Sequence, residues 1–195
     1  MNATAPGIPP PAVRPAGGGS ALAAPSASSA EADFDALYQA HYSSLVAMAY
    51  ALVGDLGEAQ DLAQEAFCRA WRRWESISAY DNPFAWLRRV VANLATSRWR
   101  HLHVVRTNTR RERAASVPGL EPDHVALVTA LRTLPPDQRR AVVLHHVMDL
   151  PVGDVARELG VPAGTVKSWL HRGRTALATL LAEAPQSTGE VTDHA

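Results

Sequence analysis

Between Leu159 and Ala182 the chain places Lys167, Arg172 and Arg174, with Ser168, His171 and Thr175 among them and no acidic residue. Cations and short hydrogen-bond donors in this arrangement can neutralise phosphate and donate to base edges. At about 100° per residue, Val166, Leu170, Gly173, Leu177 and Leu180 fall within about 40° of one direction, and the six polar side chains spread over the opposite face. A solvated helix face usually mixes signs; this one does not, as a helix entering a major groove requires. Two further charge blocks stand out. From Asp55 to Glu65 there are four acids and no base, which suits a basic protein surface. From Trp86 to Ser116 eight arginines face one acid, Glu112, a net +7 that suits phosphate.

Other chemistry finds no support. The sequence has no phosphate-cradling glycine loop, no metal-ligand spacing and no Ser–His–Asp logic, so it reads as a non-enzyme without a cofactor. His101 and His103 lie two apart and His145 and His146 are adjacent, spacings that do not put both imidazoles on one helix face. The single cysteine, Cys68, excludes an internal disulfide and a cysteine-based zinc site, and its apolar helical surroundings predict a buried or half-buried thiol. No apolar run approaches the ~18 residues of a membrane span. Arg14 is followed by no continuous apolar stretch, so no signal peptide is expected, and the protein reads as cytoplasmic.

The elements that must position these residues follow from periodicity. The 195 residues suffice for one domain or two small ones. Residues 1–32, rich in Pro, Ala, Gly and Ser, have few large apolar side chains and read as a disordered extension, as does the tail 185–195. Phe34, Leu37, Tyr38, His41, Leu45, Met48 and Leu52 recur at spacings of three and four, one helical stripe that Gly54 and Gly57 break. A second stripe runs through Leu62, Ala66, Phe67, Ala70, Trp71 and Trp74. A third helix starts at Asn82-Pro83, a capping residue followed by proline at the first helical position, and carries Phe84, Leu87, Val91 and Leu94. Residues 104–122 lose the pattern and read as a linker. A second helical unit, 123–184, divides at Leu134-Pro135-Pro136, Asp149-Leu150-Pro151 and Gly160-Val161-Pro162 into four helices. No strand alternation appears, so the class is all-α.

Ala156, Gly160 and Val166 form the strongest local pattern. A helix-turn-helix needs a small residue where its helices cross, a glycine where the turn demands positive φ, and an apolar residue where the second helix packs on the first. Val155 and Leu159 complete the buried face, and Pro162 restarts the helix.

At this point the residues resemble a known family. Asp61-Leu62-Ala63-Gln64-Glu65-Ala66-Phe67, followed by Arg69-Ala70-Trp71, is similar to the polymerase-binding helix of region 2 of bacterial sigma factors. Asn82-Pro83-Phe84-Ala85-Trp86-Leu87-Arg88-Arg89-Val90-Val91-Ala92-Asn93-Leu94 resembles the segment that melts and reads the promoter −10 element. Leu134-Pro135-Pro136-Asp137-Gln138-Arg139 and Gly164-Thr165-Val166-Lys167-Ser168 resemble region 4, which reads the −35 element. The absence of the other sigma regions marks the extracytoplasmic-function class. The resemblance implies a region 2 bundle of three to four helices over 33–103 and a region 4 helix-turn-helix domain over 123–184, joined by a flexible linker.

It also implies roles. Asp61, Gln64 and Glu65 would meet a basic surface of core RNA polymerase. Trp86, Arg89 and Asn93 would touch the −10 region, and Tyr80 and Asn82 would sit in the loop that captures a flipped base, where stacking and edge hydrogen bonds read unpaired bases. Lys167, Ser168, His171 and Arg172 would face −35 bases, with Arg174 and Arg139 on phosphate. Core polymerase and promoter DNA are the implied partners, with an anti-sigma factor as a further candidate and no membrane. Two departures matter: Pro151 and Asp154 stand where the helix before the turn usually has a hydroxyl residue and a glutamate, and His171 leaves the −35 sequence open.

Plainer readings stand beside these. Trp86 could cap a core edge, Asp61 and Glu65 could serve only intrahelical pairing with Arg69, and Trp71 and Trp74 are expected in the core because large aromatics at helical spacing usually bury. The main rival function is a stand-alone helix-turn-helix transcriptional regulator, which would need residues 34–103 to supply dimerisation or ligand binding. A non-DNA adaptor is opposed by the +7 block.

Overall fold

The computed structural model describes residues 27–106 and 122–182, and all its regular elements there are helical. Helices α1 (Ala27–Val53), α2 (Leu56–Trp71), α3 (Trp74–Ile77) and α4 (Pro83–Arg106) form the first unit. Helices α5 (Pro122–Thr133), α6 (Pro136–Val142), α7 (Val152–Leu159) and α8 (Ala163–Ala182) form the second, with a π-helical turn at Val143–Val147 continuing α6. The expected tail and most of the expected linker lie outside the described residues. No described helix is long and apolar enough to cross a membrane.

Local chemistry sets the boundaries. Gly54 ends α1 at φ +77°, a left-handed conformation that glycine adopts without steric penalty. Asp55 then caps α2, its carboxylate accepting from the Glu58 amide at 2.8 Å, an interaction whose loss costs about 1 kcal/mol. The buried face of α2 is Ala59, Leu62, Ala63, Ala66, Phe67 and Ala70, and four alanines in that stripe leave room for α1 and α4 to pack closely. Asn82 caps α4 as the sequence predicts, accepting from the Ala85 amide at 2.9 Å.

Three expectations need correction. Helix α1 starts at Ala27 rather than near Phe34, so the end of the expected disordered extension is helical. It is anchored there, because Trp74 donates its indole N–H to the Ala30 carbonyl at 2.8 Å. Trp74 is in the core, but Trp71 is 47% exposed: α2 ends at Trp71, a turn at Arg72 and Arg73 restarts the chain as α3, and Trp74 takes the interior place. Trp71 packs edge-on against Phe34, ring centroids 4.9 Å apart. Cys68 is exposed, because it lies seven residues from Asp61 and so shares the outer polar face of α2.

The two units are also not independent. One contiguous core runs through both. Arg132 of α5 lies over Gly54, where an added Cβ would meet its Cδ at 2.4 Å. Arg139 of α6 donates to the Leu52 carbonyl of α1 at 2.7 Å, and to Arg132 and Leu134 carbonyls at 2.8 and 3.1 Å. The phosphate contact expected of Arg139 is therefore corrected: the side chain is buried and works between the units. Burial, then the neighbouring Arg132 charge, lowers its pKa to about 10, which leaves it cationic at neutral pH.

Within the second unit α6 and α8 cross at Gly173, where a Cβ would lie 2.7 Å from Val142 Cγ2. Val142 is buried and β-branched, so it has little room to yield. Gly173→Val should therefore destabilise the protein by about 1–3 kcal/mol through overpacking, and adding Val142→Ala should recover part of the loss. Thermal unfolding of the single and double variants checks this; equal melting temperatures for Gly173→Val and the natural protein would show that the crossing is loose.

Candidate functional site

The turn between α7 and α8 has the geometry that its residues require. Gly160 closes α7 in the left-handed region, φ 68° and ψ 35°, with its N–H on the Ala156 carbonyl. Val161 also donates to the Ala156 carbonyl, at 3.1 Å, and Thr165 to the Pro162 carbonyl at 2.9 Å as α8 begins. Pro151 precedes α7 without a side-chain cap, and Asp154 pairs instead with Arg157. Val155, Ala156 and Val166 are buried between the helices.

This packing fixes the rotation of α8. Val166, Leu170, Gly173 and Leu177 point inward. Lys167, Ser168, His171, Arg172, Arg174 and Thr175 are all exposed. Arg172 lies along the helix with its Nε on the Ser168 carbonyl at 3.3 Å. His146, on the π-helical turn, titrates below the usual imidazole range, through partial burial first, then His145 and the Arg174 guanidinium. The face is thus a convex, cationic, donor-rich helix surface set on a helix-turn-helix.

The α4 residues have different surroundings. Tyr80 is half-buried in the turn before α4, and Asn82 is exposed with its carbonyl oxygen committed to the cap. Trp86 is 9% exposed, and Asn93 is half-buried. Arg89 donates to the Glu158 carbonyl at 3.0 Å and the Arg157 carbonyl at 2.7 Å, the last turn of α7. Beside it Arg88 forms an ion pair with the Glu158 carboxylate, its Nε 3.0 Å from Oε1, and its guanidinium lies 4.7 Å from the Phe84 ring centroid. His41 stacks on the same ring at 4.0 Å. Its pKa is lowered by burial and then by Arg88.

The acidic block of α2 divides by role. Asp55 caps the helix and Glu58 meets Arg98 at 3.7 Å, both structural uses. Asp61 and Gln64 are exposed. Glu65 is half-buried and pairs with Arg69 at 2.7 Å, the contact of the plainer reading. The outer surface they share also carries Cys68 and the exposed face of Trp71.

Sequence reasoning missed two residues that organise these surfaces, Arg88 and Glu158. Their partners are seventy positions apart, and no short-range pattern marks such a pair. The one available signal was an arginine, Arg88, three residues before the apolar Val91 and beside Leu87, on the buried side of its helix.

Residues 37–103 match the family described as Sigma-70 region 2, and residues 124–177 match Sigma-70, region 4. The RNA polymerase sigma-E factor of Streptomyces avermitilis is 37% identical over 154 residues, covering 77% of this chain and 84% of that protein. The ECF RNA polymerase sigma factor SigE of Mycolicibacterium smegmatis is 33% identical over 169 residues, 80% of this chain and 65% of that one. Among solved structures, the sigma factor RpoE from Bartonella quintana, in complex with the anti-sigma factor NepR, superposes with a TM-score of 0.63 at 27% identity, over 78% of this chain and 98% of that one. The chain belongs to the sigma-70 family of RNA polymerase sigma factors, in its extracytoplasmic-function class.

Proposed function

We propose that this sigma factor directs core RNA polymerase to its promoters with three surfaces: the outer face of α2 on the polymerase, α4 and the turn before it on the −10 element, and α8 on the −35 element. The observation that carries this reading is α8, a helix-turn-helix helix whose seven exposed polar residues, Thr179 with the six above, include three cations and no acid. Lys167, Ser168, His171 and Arg172 read base edges, and Arg174 holds phosphate. Tyr80, Asn82, Trp86, Arg89 and Asn93 read or hold the −10 region. Asp61, Gln64 and Glu65 meet a basic polymerase surface. The domain limits that go with this reading are 33–103, with α1 reaching back to Ala27, and 123–184. The factor acts in the cytoplasm, where polymerase and promoters are, and has no catalytic role. An anti-sigma factor is a proposed partner, as for the Bartonella relative.

Reversing Asp61 and Glu65 to arginine should abolish co-purification with core polymerase and leave the helical circular dichroism unchanged. Like charges brought together across an interface cost several kcal/mol, and neither residue is in the core. Wild-type yield of the complex would refute the assignment.

The recognition helix separates reading from holding. A bidentate base contact contributes about 1–3 kcal/mol of discrimination, whereas a phosphate contact adds affinity without sequence choice and appears in the salt slope. Arg172→Ala should relax preference at one or two −35 positions. Arg174→Ala should weaken all promoters alike and reduce the salt dependence by about one ion. Single-base −35 variants transcribed at two salt concentrations distinguish them. If neither substitution matters, α8 is not in the groove.

A further inference from the structure

His145 and His146 are neighbours in the chain with different surroundings. The π-helical turn that carries them is wide: the Met148 amide donates to the Val143 carbonyl at 3.1 Å and the Leu150 amide to the Leu144 carbonyl at 3.2 Å. Turns of this kind are rare and frequently mark functional sites. His145 is half-buried and closes the turn, its Nδ1 donating to the Leu150 carbonyl at 2.7 Å. His146 is exposed, its ring centroid 4.6 Å from that of His145. The crossing of α6 and α8 brings it beside the recognition helix. Val142 and Gly173 meet there so closely that a Cβ on Gly173 would lie 2.7 Å from Val142 Cγ2. His146 follows Val142 by four residues and Arg174 follows Gly173 by one. The Arg174 guanidinium is near enough to act on the His146 ring.

Charge around His146 is one-sided. Partial burial, then His145 and Arg174, lower its pKa, so in the free protein the ring is largely neutral at neutral pH. The acids of the elements packed against the turn are engaged elsewhere: Asp137 with Arg140, Asp154 with Arg157 and Glu158 with Arg88. Arg139 is held on the Leu52 and Arg132 carbonyls. Helix α1 has no charged side chain after His41, and α8 has no acid. Asp149 stands beyond the turn, exposed, at φ 51°. An anion brought to Arg174 reverses the balance, because a nearby negative charge favours the imidazolium. Resting on the assignment of α8 to −35 DNA, we propose that His146 extends that surface onto the π-helical turn as a phosphate contact beside Arg174, taking up a proton when DNA binds. A major groove is about 12 Å wide, so a helix lying in it has a sugar-phosphate strand along each flank. Arg174 is on the flank of α8 next to the turn, and one phosphate accepts from both side chains. DNA binding is thereby linked to pH. The contribution of His146 is full below its pKa in the free protein and is lost as pH rises through its higher pKa in the complex.

The test uses core polymerase with the full chain and a duplex fragment of a promoter mapped after overexpression. Binding is measured at about pH 6 and about pH 8, each at several salt concentrations. Lowering the pH should strengthen binding by the natural protein about three- to tenfold more than binding by His146→Asn. Over the same change the salt slope of the natural protein should steepen by about one ion more than that of His146→Asn. His146→Lys carries a fixed charge and should bind at the higher pH as the natural protein binds at the lower. His171, on the polar face of α8, is present in all three proteins, so its titration cancels. Because His146 is exposed, helical circular dichroism should be the same in all three. Equal pH and salt dependence in the natural protein and His146→Asn overturns the proposal. Should His146→Asn lose helical signal, His146→Lys decides: tight binding at the higher pH supports the contact, and natural pH dependence overturns it. A natural protein that gives polymerase no preference for the promoter over unrelated duplex at either pH fails the promoter reading, and the proposal with it. Preference retained, with neither substitution having an effect, overturns the His146 contact alone.

Discussion

The C-termini of α1, α5 and α7 meet the junction between the two units, and arginine side chains satisfy their carbonyls there. The last four carbonyls of a helix have no partner within it, and leaving such groups buried and unpaired costs about 1–3 kcal/mol each. At the end of α1 the Leu52 carbonyl is met by Arg139, which also takes the Arg132 and Leu134 carbonyls at the end of α5. At the end of α7 Arg89 takes two more. Guanidinium suits the task, with five donors in a planar fork and a charge that survives desolvation: even Arg139, lowered to about 10, is protonated at neutral pH. Its Nε is buried without a hydrogen bond, a cost that the three carbonyl contacts offset. These contacts join the region 2 and region 4 units into one core.

The same economy of charge explains how a chain of zero net charge can serve two partners of opposite sign. Asp55 and Glu58 belong to the fold of α2, and Asp61 and Glu65 lie on its outer side. Arg88 and Arg89 belong to the junction with α7, and the cations of α8 are left exposed. A single run of like charge is therefore not one surface. Its members are sorted by place: Asp55 at the helix start becomes a cap, Arg88 turned inward becomes a clamp, and those turned outward remain for partners.

Much of this was legible in the residues. Asn82-Pro83 marked the start of α4 because capping is local chemistry. Gly160 marked the turn because only positive φ fits there, and the stripe through Val166, Leu170, Gly173 and Leu177 set the rotation of α8. Cys68 was misjudged because its apolar chain neighbours hide its place in line with Asp61 on the polar side of α2, and Trp71 because it sits at the edge of the stripe, where the break at Arg72-Arg73 decides exposure. The start of α1 was misplaced because Ala27–Ala32 has no apolar period; a tertiary hydrogen bond from Trp74 to Ala30 holds it. The junction between units was illegible for the same reason: Arg88 with Glu158, and Arg139 with Leu52, are long-range pairs without local signature.

The central claim is that these surfaces serve a promoter-specific factor that acts through polymerase. Run-off transcription with purified core enzyme, with and without the full chain, on a promoter mapped after its overexpression tests this most directly. The account predicts specific transcripts only when both proteins are present, and an asymmetric footprint covering both elements only in the ternary complex. A tight, symmetric footprint by the chain alone, with no transcript when core is added, would contradict it.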